Sequence, residues 1–275
     1  KEKKAKIVKD LSDAPIFSAD PAIRDKANLD FMAEQLRVGD TVEMKFRDKM
    51  NYIFRSQKGR VLRTLDSKKE YKFKFAAEDI LLKEDPEIQI TIRNLDPIVY
   101  EVIQEQSKRA FGLLKIGDAL TRRNDAVSSY LENRVFRFAS EITDETNSLL
   151  GSALAEGIKA EESIPELKTR ISELFDKMES YRSERIARSE VVRATGFATE
   201  EAYKQSGVVI AKEWLTYMDN RTDDACAEMN GKKIPLGKNF FNKGEEFENL
   251  SLDYESIKHP PLHVNCRCTL IPVVA

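Results

Sequence analysis

Between Thr41 and Leu65 the apolar side chains fall at Val42, Phe46, Met50, Ile53, Phe54, Val61 and Leu65. Steps of three and four place them on one face of an α-helix and leave the charged residues on the other. The same step recurs at Ile98, Val102, Ala110 and Leu113, and again at Val127, Leu131, Val135, Phe138 and Ile142. It returns at Leu167, Ile171, Leu174, Phe175 and Met178. Repeated stripes of this kind demand a body of packed helices, because each stripe needs another element to cover it. Local signals set the expected ends. Ser163, Pro165 and Glu166 form a cap, a pre-set first turn and a capping-box return. Pro97 is expected in the first turn of a helix capped by Asp96, and Gly207 is expected to stop a helix from Ser183 to Gln205. Shorter helices are expected at Ala22–Gln35 and at Thr143–Glu156, the latter ending before Gly157.

Two stretches depart from this pattern. Within residues 66–96, YKFKF and EIQITI alternate as strands do, while the lysine-rich part reads equally as a loop leading into a short helix at AAEDILL. After Gly207, VVIAKEWLTY is β-branched and aromatic and reads as a strand. A turn at Asp219-Asn220, a short helix capped by Thr222, a stop at Gly231 and the strand-like CTLIPVV follow. The expected fold is a mainly α helical body followed by a small α+β, loop-rich C-terminal domain. The divisions are a polar arm or linker at 1–40, a helical domain at 41–182 and the C-terminal domain at 183–275.

With 275 residues and 41% hydrophobic side chains, the chain has material for a sizeable core. A net charge of −2 gives no overall attraction to nucleic acid or an anionic membrane. No apolar run approaches the ~20 residues needed to span a bilayer. The opening KEKKAKIVKD lacks the apolar centre of a signal peptide and begins without Met, as expected of a fragment or processed product. Three cysteines, an odd number, make no disulfide framework and suit a reducing cytoplasm.

Both histidines and two of the three cysteines fall within His259–Cys268. That leaves no histidine for a nucleophilic triad elsewhere, and the glycines form no phosphate-cradling loop. Cys226, His263, Cys266 and Cys268 together offer the sulfur and imidazole donors of a tetrahedral zinc site. Four protein ligands would leave no open corner, which is the mark of structural zinc. Free cysteines are also common small core residues, and Cys-x-Cys is not the usual Cys-x-x-Cys knuckle, so the residues alone leave both readings open. His259 is expected at the surface beside Pro260-Pro261. In RIARSE, Arg185 and Arg188 lie one turn apart with Glu190 close behind. Arg188 is expected to pair with a carboxylate such as Asp219, in a structural ion-pair network and not a catalytic one.

Several blocks in order then resemble a known family: RIARSEVVRATGFATEEAYKQSGV, KEWLTYMDNRTDDACAEMNGKKIPL, F-x-x-G-E-E-F and PPLHVNCRCTLIPV. They are similar to the C-terminal domain of phage Mu F-like head morphogenesis proteins, also called minor head or minor capsid proteins. The family pattern falls on Ala187–Glu190, Lys212–Trp214, Asp219–Thr222, Cys226, Gly231 and Asn265–Cys268. Trp214, Asp219, Arg221, Thr222, Gly231 and Arg267 thereby become motif residues, along with Arg185, Arg188 and Glu190. Ser189 replaces the usual Thr, and Cys226 stands where many members carry His. The resemblance implies a virion component in the phage head, present in the host cytoplasm during assembly. It also implies portal and capsid partners and a role in head morphogenesis, DNA packaging or ejection. Such domains are often fused to the C-terminus of a portal protein. A structural zinc is the expected cofactor, and no membrane partner is implied. Catalysis is not expected. The competing class is a zinc-dependent hydrolase, nuclease or toxin-type enzyme, which would require an open coordination corner. Lysines at 58–74 offer at most non-specific contact with packaged DNA, and the mixed charge around Lys232 and Glu245 makes a weak phosphate track.

Overall fold

The computed structural model describes residues 7, 9–11, 13–68, 76–247, 250–252 and 256–274. Six helices dominate it: α1 (Pro21–Ser67), α2 (Glu84–Leu113), α3 (Asp125–Tyr130), α4 (Phe136–Lys159), α5 (Ile164–Lys177) and α6 (Ser183–Ser206). Strand β1 (Val209–Leu215), helix α7 (Asp224–Met229) and strands β2 (Lys233–Pro235), β3 (Glu245–Phe247), β4 (Leu250–Leu252) and β5 (Thr269–Val274) follow. The helical body with a small α+β C-terminal region is therefore the fold. No helix among the described residues is long and apolar enough to cross a membrane.

The chain forms two compact units. One gathers residues 44–98 and 128–187, and the other gathers 1–43, 99–127 and 188–275. In the first, the stripe Phe46, Met50, Ile53, Phe54, Val61 and Leu65 is buried throughout, together with Val135, Phe138, Leu167, Ile171 and Phe175. Each such side chain contributes roughly 1.5–3 kcal/mol on burial. Ion pairs Arg55–Glu179 (2.5 Å) and Lys58–Asp176 (2.8 Å) flank the apolar seam. Ser163 and Glu166 form the expected start of α5, with Glu166 accepting the Ser163 N–H at 2.7 Å.

Several helix ends differ from expectation. The helix expected to stop at Gln35 runs on to Ser67 as one 47-residue α1. EIQITI is helical, not extended. Ile88, Thr91, Leu95 and Val99 are all buried, and this spacing of three and four outweighs the local alternation of β-branched residues. Pro97 consequently lies inside α2, not in a first turn. The i−4 hydrogen bond it removes, a cost of about 3 kcal/mol, is offset by the buried residues on both sides. AAEDILL gives only a 3-10 turn at Ala77–Asp79, and YKFKF lies outside the described residues. The helix expected to begin near Thr143 does not start there but continues the one that carries the Val127–Ile142 stripe. A π-helical turn at Leu131–Val135 leads into α4, which passes through the buried Gly157. Another at Met178–Arg182 joins α5 to α6.

In the second unit β1 is the centre of a three-stranded antiparallel sheet, ordered β2-β1-β5. Trp214 pairs with Leu270 and Lys212 with Pro272 across β1 and β5. Strands β3 and β4 form a separate hairpin. The N-terminal segment closes one part of this sheet: Ile16 and Met32 share a buried cluster with Leu215 and Ile271, backed by Phe17 and Phe31. Gly207, at φ 66°, stops α6 in the left-handed region that glycine alone enters without strain.

Candidate metal centre

Helix α7 and the His263–Cys268 loop place the soft donors together. Asp223 caps α7 by accepting the Ala225 N–H at 3.0 Å, replacing Thr222 in the expected capping role. Thr222 instead fastens the preceding turn, accepting the Asp219 N–H at 2.8 Å and donating to the Tyr217 carbonyl at 2.7 Å. In the first turn of α7, Cys226 Sγ lies 2.9 Å from His263 Nε2 and 3.7 Å from Cys266 Sγ. The ligand atoms of Cys226, His263 and Cys266 all fall within 4.8 Å of one another. Cys268 meets both of the other thiols, and its Sγ lies 3.4 Å from Thr216 Oγ1, which also donates to the Cys226 carbonyl at 2.6 Å. All three cysteines are free and buried.

This donor set fits zinc. A tetrahedral ion with Zn–S near 2.3 Å separates two sulfurs by about 3.8 Å, close to the Cys226–Cys266 distance of 3.7 Å. The Cys226–His263 contact is shorter than a tetrahedral edge and corresponds to a direct hydrogen bond, so a metal would part the two by about half an ångström. His263 Nδ1 lies 2.8 Å from the Val264 carbonyl and donates to it. That tautomer leaves the Nε2 lone pair facing the sulfurs, as in metal-bound histidines. The thiols also divide their protons unequally. Hydrogen bonds from Cys226 and Cys268 hold the Cys266 thiol well below its usual range, while contacts with Cys266 and Cys268, with burial, push Cys226 up.

Around the cluster the motif residues act as fasteners. Arg267, between the two loop cysteines, grips Asp219 through both guanidinium nitrogens at 2.8 and 2.5 Å and lies 5.3 Å from the centre of the Tyr217 ring. Hydrogen bonding from Arg267 holds the Asp219 carboxyl far below the usual range. Arg188, expected to take Asp219, pairs instead with Glu43 at 3.2 Å and with Asn265 at 3.4 Å. Asn265 adopts φ 65°, a conformation that asparagine tolerates better than most residues. Gly231, at φ 81°, turns the chain so that its N–H reaches the Trp214 carbonyl at 2.8 Å. Trp214 is fully buried, edge-on to Phe240. Glu190 pairs with Arg193, Arg185 stacks over the exposed Tyr181, and Arg221 is largely exposed beside Asp219.

A second buried cluster escaped sequence reasoning. Lys212, with no exposed side-chain surface, donates to Glu200 at 2.8 Å and to the Lys258 carbonyl at 2.6 Å. Burial alone would raise the Glu200 carboxyl, but Lys212 and Lys204 outweigh it and hold the group ionised. His259, expected at the surface, is mostly covered. Burial lowers its pKa to about 4, and its Nδ1 lies 2.8 Å from the Pro260 carbonyl. Gly196 is why the ring fits: a Cβ there would collide with the imidazole and the Pro260 carbonyl. A glycine inside a helix, costing about 1 kcal/mol against alanine, was the signal that could have found this close approach.

Residues 144–271 match the family described as phage Mu protein F like protein. Through that stretch, just under half of the chain, the protein is similar to the phage Mu F-like family. The Mu F-like stretch contains all four sulfur and imidazole groups of the cluster and begins upstream of the domain that the motifs resemble. The chain is also similar to the NAD(+)--arginine ADP-ribosyltransferase EFV of Enterococcus faecalis, 29% identical over 154 residues. That match takes 52% of this chain but spans only 28% of the relative's length. No solved structure matches.

Proposed function

We propose that this Mu F-like chain is a minor head component that associates with portal or capsid proteins during head morphogenesis and takes part in DNA packaging or ejection. Its C-terminal module would be a rigid end-piece pinned by one structural zinc on Cys226, His263, Cys266 and Cys268. The observation that carries this reading is the Cys/His cluster inside the family-matched stretch, its cysteines buried and His263 half-buried, with the Arg267–Asp219 pair beside it. A group so enclosed suits holding a fold more than turning over a substrate. The test is capture of the tagged full chain from an infected host. Portal or proheads should co-purify, and their absence would overturn the assembly role. Elemental analysis of the same material should give one zinc per chain.

The competing reading is a zinc-dependent hydrolase, nuclease or toxin-type enzyme. It draws on the three-membered group of Cys226, His263 and Cys266, which by itself would leave one corner for water. The name of the Enterococcus faecalis relative also supports an enzyme, within the limits of a match to 28% of that protein. Cobalt substitution separates the two: three thiolate ligands and one imidazole indicate a closed site, whereas two thiolates and a solvent ligand indicate an open one.

A further inference from the structure

We infer that the cluster is an oxidation-labile metal centre, in which Cys226 and Cys266 close a disulfide and expel the metal while Cys268 stays reduced. This rests on the zinc reading above. The pairing follows from placement. Cys226 is carried by α7 and Cys266 by the loop, and their sulfurs are 3.7 Å apart. Bond formation requires an approach to about 2.05 Å, within reach of side-chain rotation once no metal holds the sulfurs apart. Only Arg267 separates Cys268 from Cys266, so joining those two would close a small strained ring. Its sulfur meets the other two thiols as well but is shared with Thr216 Oγ1 at 3.4 Å, a contact that Cys226 and Cys266 do not make.

The step balances with a peroxide as oxidant. One thiolate attacks the O–O bond to give a sulfenic acid, and the second thiolate displaces hydroxide from that sulfur. Two sulfurs are oxidised by two electrons, and hydrogen peroxide becomes two waters after taking up two protons. The metal, left with one thiolate and one imidazole, leaves. The device would keep the module pinned in a reducing cell and loosen it in an oxidising medium.

The test uses the full-length, zinc-loaded chain treated with hydrogen peroxide, with released zinc followed by a chromogenic chelator. Thiols are counted in denaturant, and non-reduced tryptic peptides are mapped by mass. Cleavage after Arg221, Lys232, Lys258 and Arg267 puts Cys226, Cys266 and Cys268 on three separate peptides, 222–232, 259–267 and 268–275. The expected result is loss of bound zinc, a fall from three free thiols to one, and a linked pair of 222–232 with 259–267. Retained zinc, or a link between 259–267 and 268–275, overturns the inference and leaves the zinc reading intact. A chain with no zinc before peroxide is added overturns both. The Cys268→Ser variant, if it folds, should still give the 222–232 to 259–267 link, and the absence of that link would count against the pairing.

Discussion

Lys212→Met isolates the energetics of the buried ion pair. The substitution preserves most of the lysine stem and removes the ammonium group from a position with no exposed side-chain surface. Glu200, at 3% side-chain exposure, would then keep Lys204 at 3.2 Å and the Gly237 N–H at 3.3 Å as its direct partners among the described residues. Breaking a buried pair in this way costs about 3–5 kcal/mol. The remaining partners place the expected value at the lower end, about 3 kcal/mol. Adding Glu200→Gln removes the stranded charge and should recover about 2 kcal/mol. The lost hydrogen bond to the Lys258 carbonyl, worth roughly 1 kcal/mol, is common to both variants. Trp214 makes the assay specific, because it is the only tryptophan and sits fully buried two residues from Lys212. Urea unfolding followed by its fluorescence reports this module, while far-ultraviolet circular dichroism reports the helices. A single variant costing under about 1 kcal/mol, or a double variant no more stable than the single, would refute the assignment of Lys212 and Glu200 as a charged pair.

Cys266→Ser should lower the fluorescence-detected unfolding midpoint and leave the main helical transition in place, since structural zinc contributes folding energy where it binds. Exhaustive chelation should reproduce the shift in the wild type and add nothing in the variant. Gly196→Ala should destabilise the module by about 1–3 kcal/mol despite the better helix propensity of alanine, because its Cβ meets both the His259 ring and the backbone of Pro260; thermal unfolding by Trp214 fluorescence measures it. For His259, burial lowers the folded pKa to about 4 from 6.5. The unfolded chain therefore binds more protons between those values, and the contribution is full above pH 6.5 and lost as pH falls toward 4. With the ring's partial exposure allowed for, it amounts to about 2 kcal/mol. The difference in stability between wild type and His259→Gln should shrink over that window and stay constant above it.

Much of the helical body was legible because helix formation is a local matter of spacing, and burial enforces the same spacing. Phe46 to Leu65 and Leu167 to Phe175 needed no tertiary information, and neither did the capping box at Ser163. EIQITI shows the limit. A six-residue window of β-branched alternation reads as a strand, and only the burial of Ile88, Thr91 and Leu95 along one helical face decides otherwise. The donors of the cluster were likewise named by residue type, since soft ligands are rare in this chain and sit almost together. Which charge meets which was not legible. Asp219 with Arg267, Arg188 with Glu43 and Lys212 with Glu200 join residues up to 145 positions apart. Sequence lists the charged groups, but their pairing depends on three-dimensional closure. The burial of His259 against Gly196 is of the same kind. By itself, then, the sequence determined the helical periodicity and the inventory of sulfur and imidazole groups, which are properties of composition and of neighbouring residues. Only the tertiary structure decided which thiols face each other and which ions are shielded from water, because those depend on distances between elements that no local pattern encodes.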